Sequence, residues 1–191
     1  MVTPEMLALL EALGANRSNG NGRTLLDHLE ATRALLAAWG RPCEICLAGL
    51  FHSAYGAEGG AGRDRSANLV RREEVRAVIG PVAEELAYLY SALQRRSLFA
   101  IAARDSGYSV HDVFLNTELP LQETTVRALF EIEAANFVEG PLTRFDRLSD
   151  EILGRLRTGW EAAQRFVTPR AYEAVINRFG ALAELRPGVG R

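Results

Sequence analysis

Between residues 24 and 39, Leu25, Leu29, Thr32, Leu36 and Trp39 return at three- and four-residue steps, and this spacing constrains the chain more than any other feature. An apolar stripe of that period covers one side of an α-helix and would scatter over both faces of a strand. The pattern is helical almost throughout. Thr3 and Pro4 open a first helix as N-cap and first helical residue, and Gly14 stops it. Further helices are expected over about 42–53, 71–79, 81–93, 98–103, 123–138, 148–166 and 169–185. Two stretches fall outside the pattern: a long loop from Tyr55 to Asn68, and an irregular segment from Arg104 to Leu119. No segment shows clean period-two alternation. The expectation is therefore an all-α, compact helical bundle. It is read as a single domain over 1–191, with a core at about 23–139 and C-terminal helices over 141–185 packed on it.

Charge and apolar runs narrow the function classes. With 22 basic and 24 acidic residues the net charge is 22 − 24 = −2, so no nucleic-acid partner is expected. No apolar run reaches the roughly 20 residues of a membrane span. Every basic residue is Arg. Without Lys, Schiff-base catalysis and a phosphate-loop Lys are excluded. Met1 to Gly14 carries Glu5 and Glu11 and no basic residue, unlike a secretory signal. Cys43 and Cys46, only three apart, would close no useful loop as a disulfide, and the reading is a reducing, cytoplasmic setting. Their CxxC spacing lacks the preceding strand of a thioredoxin-like site, so that reading is rejected.

The chain holds three histidines, His28, His52 and His111. His28 lies near the start of the second helix and His52 at the end of the third. The turn between these helices, at Gly40, is very short, so they must run antiparallel as neighbours. That brings the start of one beside the end of the other, and two imidazoles are expected to converge at the mouth of the bundle. His111, with Asp112, is expected on an exposed loop. The alternative for the first two is structural: His28 and His52 bonded to each other or to Asp27. Glu131 and Glu133, two apart on one helix, must point to different sides, whereas Glu133 and Asn136 share a face.

The run from Arg23 to Leu93 resembles the HD-domain superfamily, metal-dependent phosphohydrolases named for a His-Asp doublet. The likeness rests on His28, on Ala48-Gly49-Leu50-Phe51-His52-Ser53, and on Ile79-Gly80-Pro81-Val82-Ala83-Glu84 after the long loop. It is similar to a small subgroup in which Ser, here Ser53, replaces the doublet Asp. A late acidic ligand of the superfamily would fall near Glu131, Glu133 and Asn136. The resemblance implies an HD-like core and metal-assisted hydrolysis of a polar or anionic metabolite. The departures matter as much. Ser53 lacks the charge that holds a hard divalent cation. Gly56 and Ala57 stand near the place of an acidic pair, with Glu58 the nearest carboxylate. Three histidines are too few for a di-iron centre.

The resulting expectation is one divalent metal, Zn, Mn or Fe, held by His28, His52 and Glu133 and acidifying a bound water. Ser53, Tyr55 and Glu58 join the two histidines as candidate catalytic residues. Arg63, Arg65, Arg71 and Arg72 are candidate anion-binding residues, with helix-surface ion pairs to Glu73 and Glu74 as their bland alternative. Two further readings of the same cavity are a metal-free enzyme using a His as acid or base, and a non-catalytic ligand-binding or interaction module. A small-molecule ligand is the expected partner, with a homodimer as the assembly considered.

Overall fold

The fold is described from a computed structural model covering residues 2–18, 22–56, 65–93, 95–141 and 148–184, with the side chains of 65–69, 95 and 96 left aside. It is mostly α-helical. In chain order it runs α1 (Pro4–Ala12), α2 (Leu25–Ala38), α3 (Cys43–Leu50), α4 (Arg65–Ile79), α5 (Pro81–Ala92), α6 (Arg95–Ala102), β1 (Ser109–Asp112), β2 (Thr117–Pro120), α7 (Glu123–Glu139), α8 (Asp150–Ala163) and α9 (Pro169–Glu184). Among the described residues, no helix is long and apolar enough to cross a membrane.

Local chemistry explains the helix starts. The Thr3 hydroxyl accepts the Met6 N–H, and Pro4 needs no partner for an N–H it lacks. At α2, Thr24 and Asp27 form a reciprocal capping box. Ser149 accepts the Ile152 N–H at the start of α8. Helix α4 begins at Arg65, about two turns before the expected Arg71. No Gly or Pro falls between residues 63 and 79, so nothing in the backbone stops the helix from extending backwards.

The stretch read as irregular holds a short antiparallel hairpin, with Ser109 opposite Pro120 and Asp112 opposite Thr117. Four residues per strand are too few for alternation to stand out, although Val110 and Asp112 do turn inward while His111 turns out. Asp112 is wholly buried. Its Oδ1 accepts the N–H groups of Phe114 and Leu115, and its Oδ2 accepts the Tyr88 hydroxyl at 2.8 Å. This side-chain turn, with Asn116 at φ 52°, reverses the chain. His111 is exposed and faces Glu118 across the ladder at 3.4 Å.

Buried apolar residues form one connected core from Met6 to Leu182. Leu29 and Leu36 of α2, Leu50 at the end of α3, and Leu129, Phe130 and Ile132 of α7 lie at its centre. Gly49 of α3 faces α2 so closely that a Cβ there would sit 2.3 Å from Leu36 Cδ1. The close approach of α2 and α3, with α7 against both, positions the site described next.

Candidate functional site

Helix α3 ends at Leu50, and His52 follows in the turn beyond it. The last carbonyls of a helix lack intrahelical donors. The His52 Nδ1–H meets one of them, donating to the Gly49 carbonyl at 2.7 Å. Ser91 of α5 donates to the His52 carbonyl at 3.0 Å, so ring and backbone are both held. In the neutral ring this leaves the lone pair on Nε2. His52 is 7% exposed.

His28, in the first turn of α2, meets His52 edge to face, with ring centroids 5.2 Å apart and planes at 84°. The antiparallel run of α2 and α3 does bring the two imidazoles together. Asp27 is not the partner of His28, because Asp27 serves the capping box. Instead His28 Nδ1 bonds to Glu139 Oε2 at the end of α7, and Nε2 lies 3.1 Å from Asn136 Oδ1. The Asn136 Nδ2–H donates to the Tyr90 hydroxyl oxygen at 2.8 Å, and Tyr90 donates to Glu133 Oε2 at 2.5 Å. The Tyr90 ring also stands edge to face against His52, centroids 5.5 Å apart. Thus α2, α3, α5 and α7 each supply a side chain or a cap to one polar cluster.

Arg23, just before α2, reaches the other Glu139 oxygen at 2.6 Å. Burial by itself would raise the Glu139 carboxyl. The hydrogen bond and charge of His28, and then Arg23, outweigh it and hold the group below the usual carboxylate range. Arg178 of α9 bonds to the Gly140 carbonyl and lies beside Glu139. Burial holds its guanidinium below the ordinary value, and the Glu139 charge opposes that shift.

The other expected site residues have separate places. Ser53 is half-buried next to His52. Tyr55 turns away from the histidines: it is buried, and its hydroxyl donates to Glu84 Oε1 at 2.8 Å. Burial first, then the Glu84 carboxylate, pushes that phenol up beyond its usual range. Tyr55 is therefore a structural donor rather than a proton carrier at His52. Arg72, expected to bind anions, grips Glu84 with two bonds of 2.7 and 3.0 Å, bonds to Glu85, and lies 3.8 Å over the Tyr88 ring. Arg71 donates to the Ala54 carbonyl at 3.3 Å. Neither guanidinium belongs to the histidine cluster. Arg65 begins α4, but its side chain lies outside the described residues, as do Glu58 and Arg63 altogether. Glu131 points away from the cluster and accepts the Thr168 N–H at 2.6 Å.

Tyr90, Glu139 and Arg23 are members of the histidine cluster that reading the sequence missed. One signal was within reach. Glu133 and Asn136 share a face at a three-residue step, and one more such step arrives at Glu139.

A divalent ion fits this donor set poorly. Both His28 nitrogens already meet protein oxygens, and Glu133 carries the Tyr90 hydrogen bond. Among the described residues, no group of three or more His, Cys, Asp or Glu side chains is placed to hold a metal ion. His28 would have to give up one of its protein partners before it could coordinate one.

A family model described as a domain of unknown function, DUF6817, matches residues 9–95. The matched span includes His28, His52, Ser53 and Tyr90 but ends before Glu133, Asn136 and Glu139. No curated protein and no solved structure matches the chain.

Proposed function

We propose that this chain is an enzyme acting on a small polar or anionic metabolite, with His52 exchanging a proton with the bound molecule and no resident metal required. The carrying observation is the Gly49 carbonyl bond, which fixes the tautomer so that Nε2 is the proton-accepting nitrogen. A ring locked in one tautomer beside an ordered polar cluster is the arrangement general acid–base catalysis needs. Arg23, about half exposed and bonded to Glu139, is a solvent-facing cation joined to this cluster and suits an anionic ligand. The resemblance to the HD superfamily contributes the pairing of His28 with His52, while the donor geometry favours its metal-free use. Metal-assisted hydrolysis by His28, His52 and Glu133 is the reading set aside on that ground.

The test uses tag-free protein, stripped with a chelator and assayed against phosphomonoesters, carboxylic esters and lactones. Activity is expected to survive chelation and to fall about 100-fold or more in His52→Gln, the usual worth of a positioned acid or base. Activity abolished by the chelator and restored by Zn²⁺, Mn²⁺ or Fe²⁺ would reinstate the metal reading. Turnover unchanged in His52→Gln would remove His52 from the chemistry.

A further inference from the structure

We infer that His28 donates from both ring nitrogens and stands as an imidazolium, and that Asn136 and Tyr90 are positioning residues that keep it so. Its use in the chemistry rests on the proposed function, whereas its test does not.

Hydrogen-bond polarity is fixed along a chain of groups that ends in a carboxylate at both sides. A phenol has one proton, and an ionised carboxylate only accepts. Tyr90, at 2.5 Å from Glu133 Oε2, gives its proton there. Its oxygen is then the acceptor for Asn136, whose Nδ2 lies 2.8 Å away. With the amide NH₂ turned to Tyr90, the amide oxygen must face His28, and it lies 3.1 Å from Nε2. An amide oxygen only accepts, so Nε2 carries a proton. On the other side Nδ1 faces Glu139 Oε2, which also only accepts. Both nitrogens therefore donate.

The charged and titratable groups around the ring come from every neighbouring element. They are Arg23 before α2, His52 after α3, Tyr90 on α5, Glu133 and Glu139 on α7, and Arg178 on α9 beside Glu139. The reverse polarity would flip the Asn136 amide and turn the Tyr90 proton away from Glu133. That carboxylate is only 2% exposed, and losing a donor there is costly. A doubly donating His28 has no lone pair for a metal or for a proton. Its part is a fixed cation 5.2 Å from the His52 ring, favouring negative charge that develops on a ligand held there.

The experiment is nitrogen NMR of the full chain labelled with ¹⁵N-histidine, at neutral pH. His28→Gln and His111→Gln identify which signals belong to which ring. Both His28 nitrogens are expected in the protonated range. In Tyr90→Phe, shown by circular dichroism to be folded, the amide loses its orienting partner, and the Nε2 signal is expected to move towards the unprotonated range. Asn136→Leu removes the acceptor itself and should do the same. An unprotonated nitrogen on His28 in the parent protein would overturn the inference, as would His28 signals unmoved in both folded variants. The spectra need no substrate, so loss of the proposed activity and loss of this protonation pattern are separately visible.

Discussion

Glu84 is a wholly buried carboxylate that receives Arg72, Arg76 and the Tyr55 hydroxyl. Burial pushes its carboxyl up. The hydrogen bonds from Arg72, Tyr55 and Arg76, together with the Arg72 charge, more than offset that and hold it below the ordinary range. Removing this hub would leave a largely buried guanidinium and a buried phenol without their acceptor. Glu84→Ala is expected to cost on the order of 3 kcal/mol, measured as a lower urea midpoint. The pH dependence has a definite sign. A depressed folded-state value means the contribution is fully present above the unfolded glutamate value, about 4.3, and is lost as pH falls through the folded value. Glu84→Gln should therefore lose stability at neutral pH and show a shallower fall of Tm in acid than the parent protein. Neither Glu84 nor Tyr55 could be paired from the sequence, since they stand 29 residues apart with all of α4 between them.

At the scale of elements, the contact between α2 and α3 holds the two imidazoles in register. Gly49 permits it, because an added Cβ would meet Leu36 Cδ1 at 2.3 Å while Leu36 has no exposed surface into which to retreat. Gly49→Ala is expected to destabilise by roughly 1–3 kcal/mol through overpacking. Leu36→Ala makes room for the methyl group, so the double variant should be more stable than the two single losses added together. A thermodynamic cycle from denaturant titrations measures that coupling. The Gly49 carbonyl also orients His52, so the single variant should lower the proposed activity as well as stability. The helices themselves were legible in the sequence, through Leu25, Leu29, Thr32 and Leu36 and through caps such as Thr3 and Thr24. The hairpin was not, because its turn is made by a buried Asp112 whose partner Tyr88 lies 24 residues earlier.

At the scale of the molecule, aromatic packing ties the C-terminal helices to the rest. Trp160 of α8 meets Phe99 of α6 and Phe130 and Phe137 of α7, and Phe137 meets Phe179 of α9. Trp160→Ala is expected to cost about 3–5 kcal/mol. Because one connected core spans Met6 to Leu182, the loss should appear in a single transition. The fluorescence of Trp39, at the far end of α2, should then follow the same curve as the circular dichroism signal. By itself the sequence determined the helical class, most helix limits and the pairing of His28 with His52. Each of these follows from residues a few steps apart or from a short antiparallel turn. Packing alone decided that Glu139, 111 residues beyond His28, would meet its ring, that Tyr90 and Asn136 would join it, and that Tyr55 and Arg72 would turn to Glu84. Such contacts arise from how α5 and α7 lie against α2 and α3, and a helix period says which face is apolar without saying which neighbour covers it.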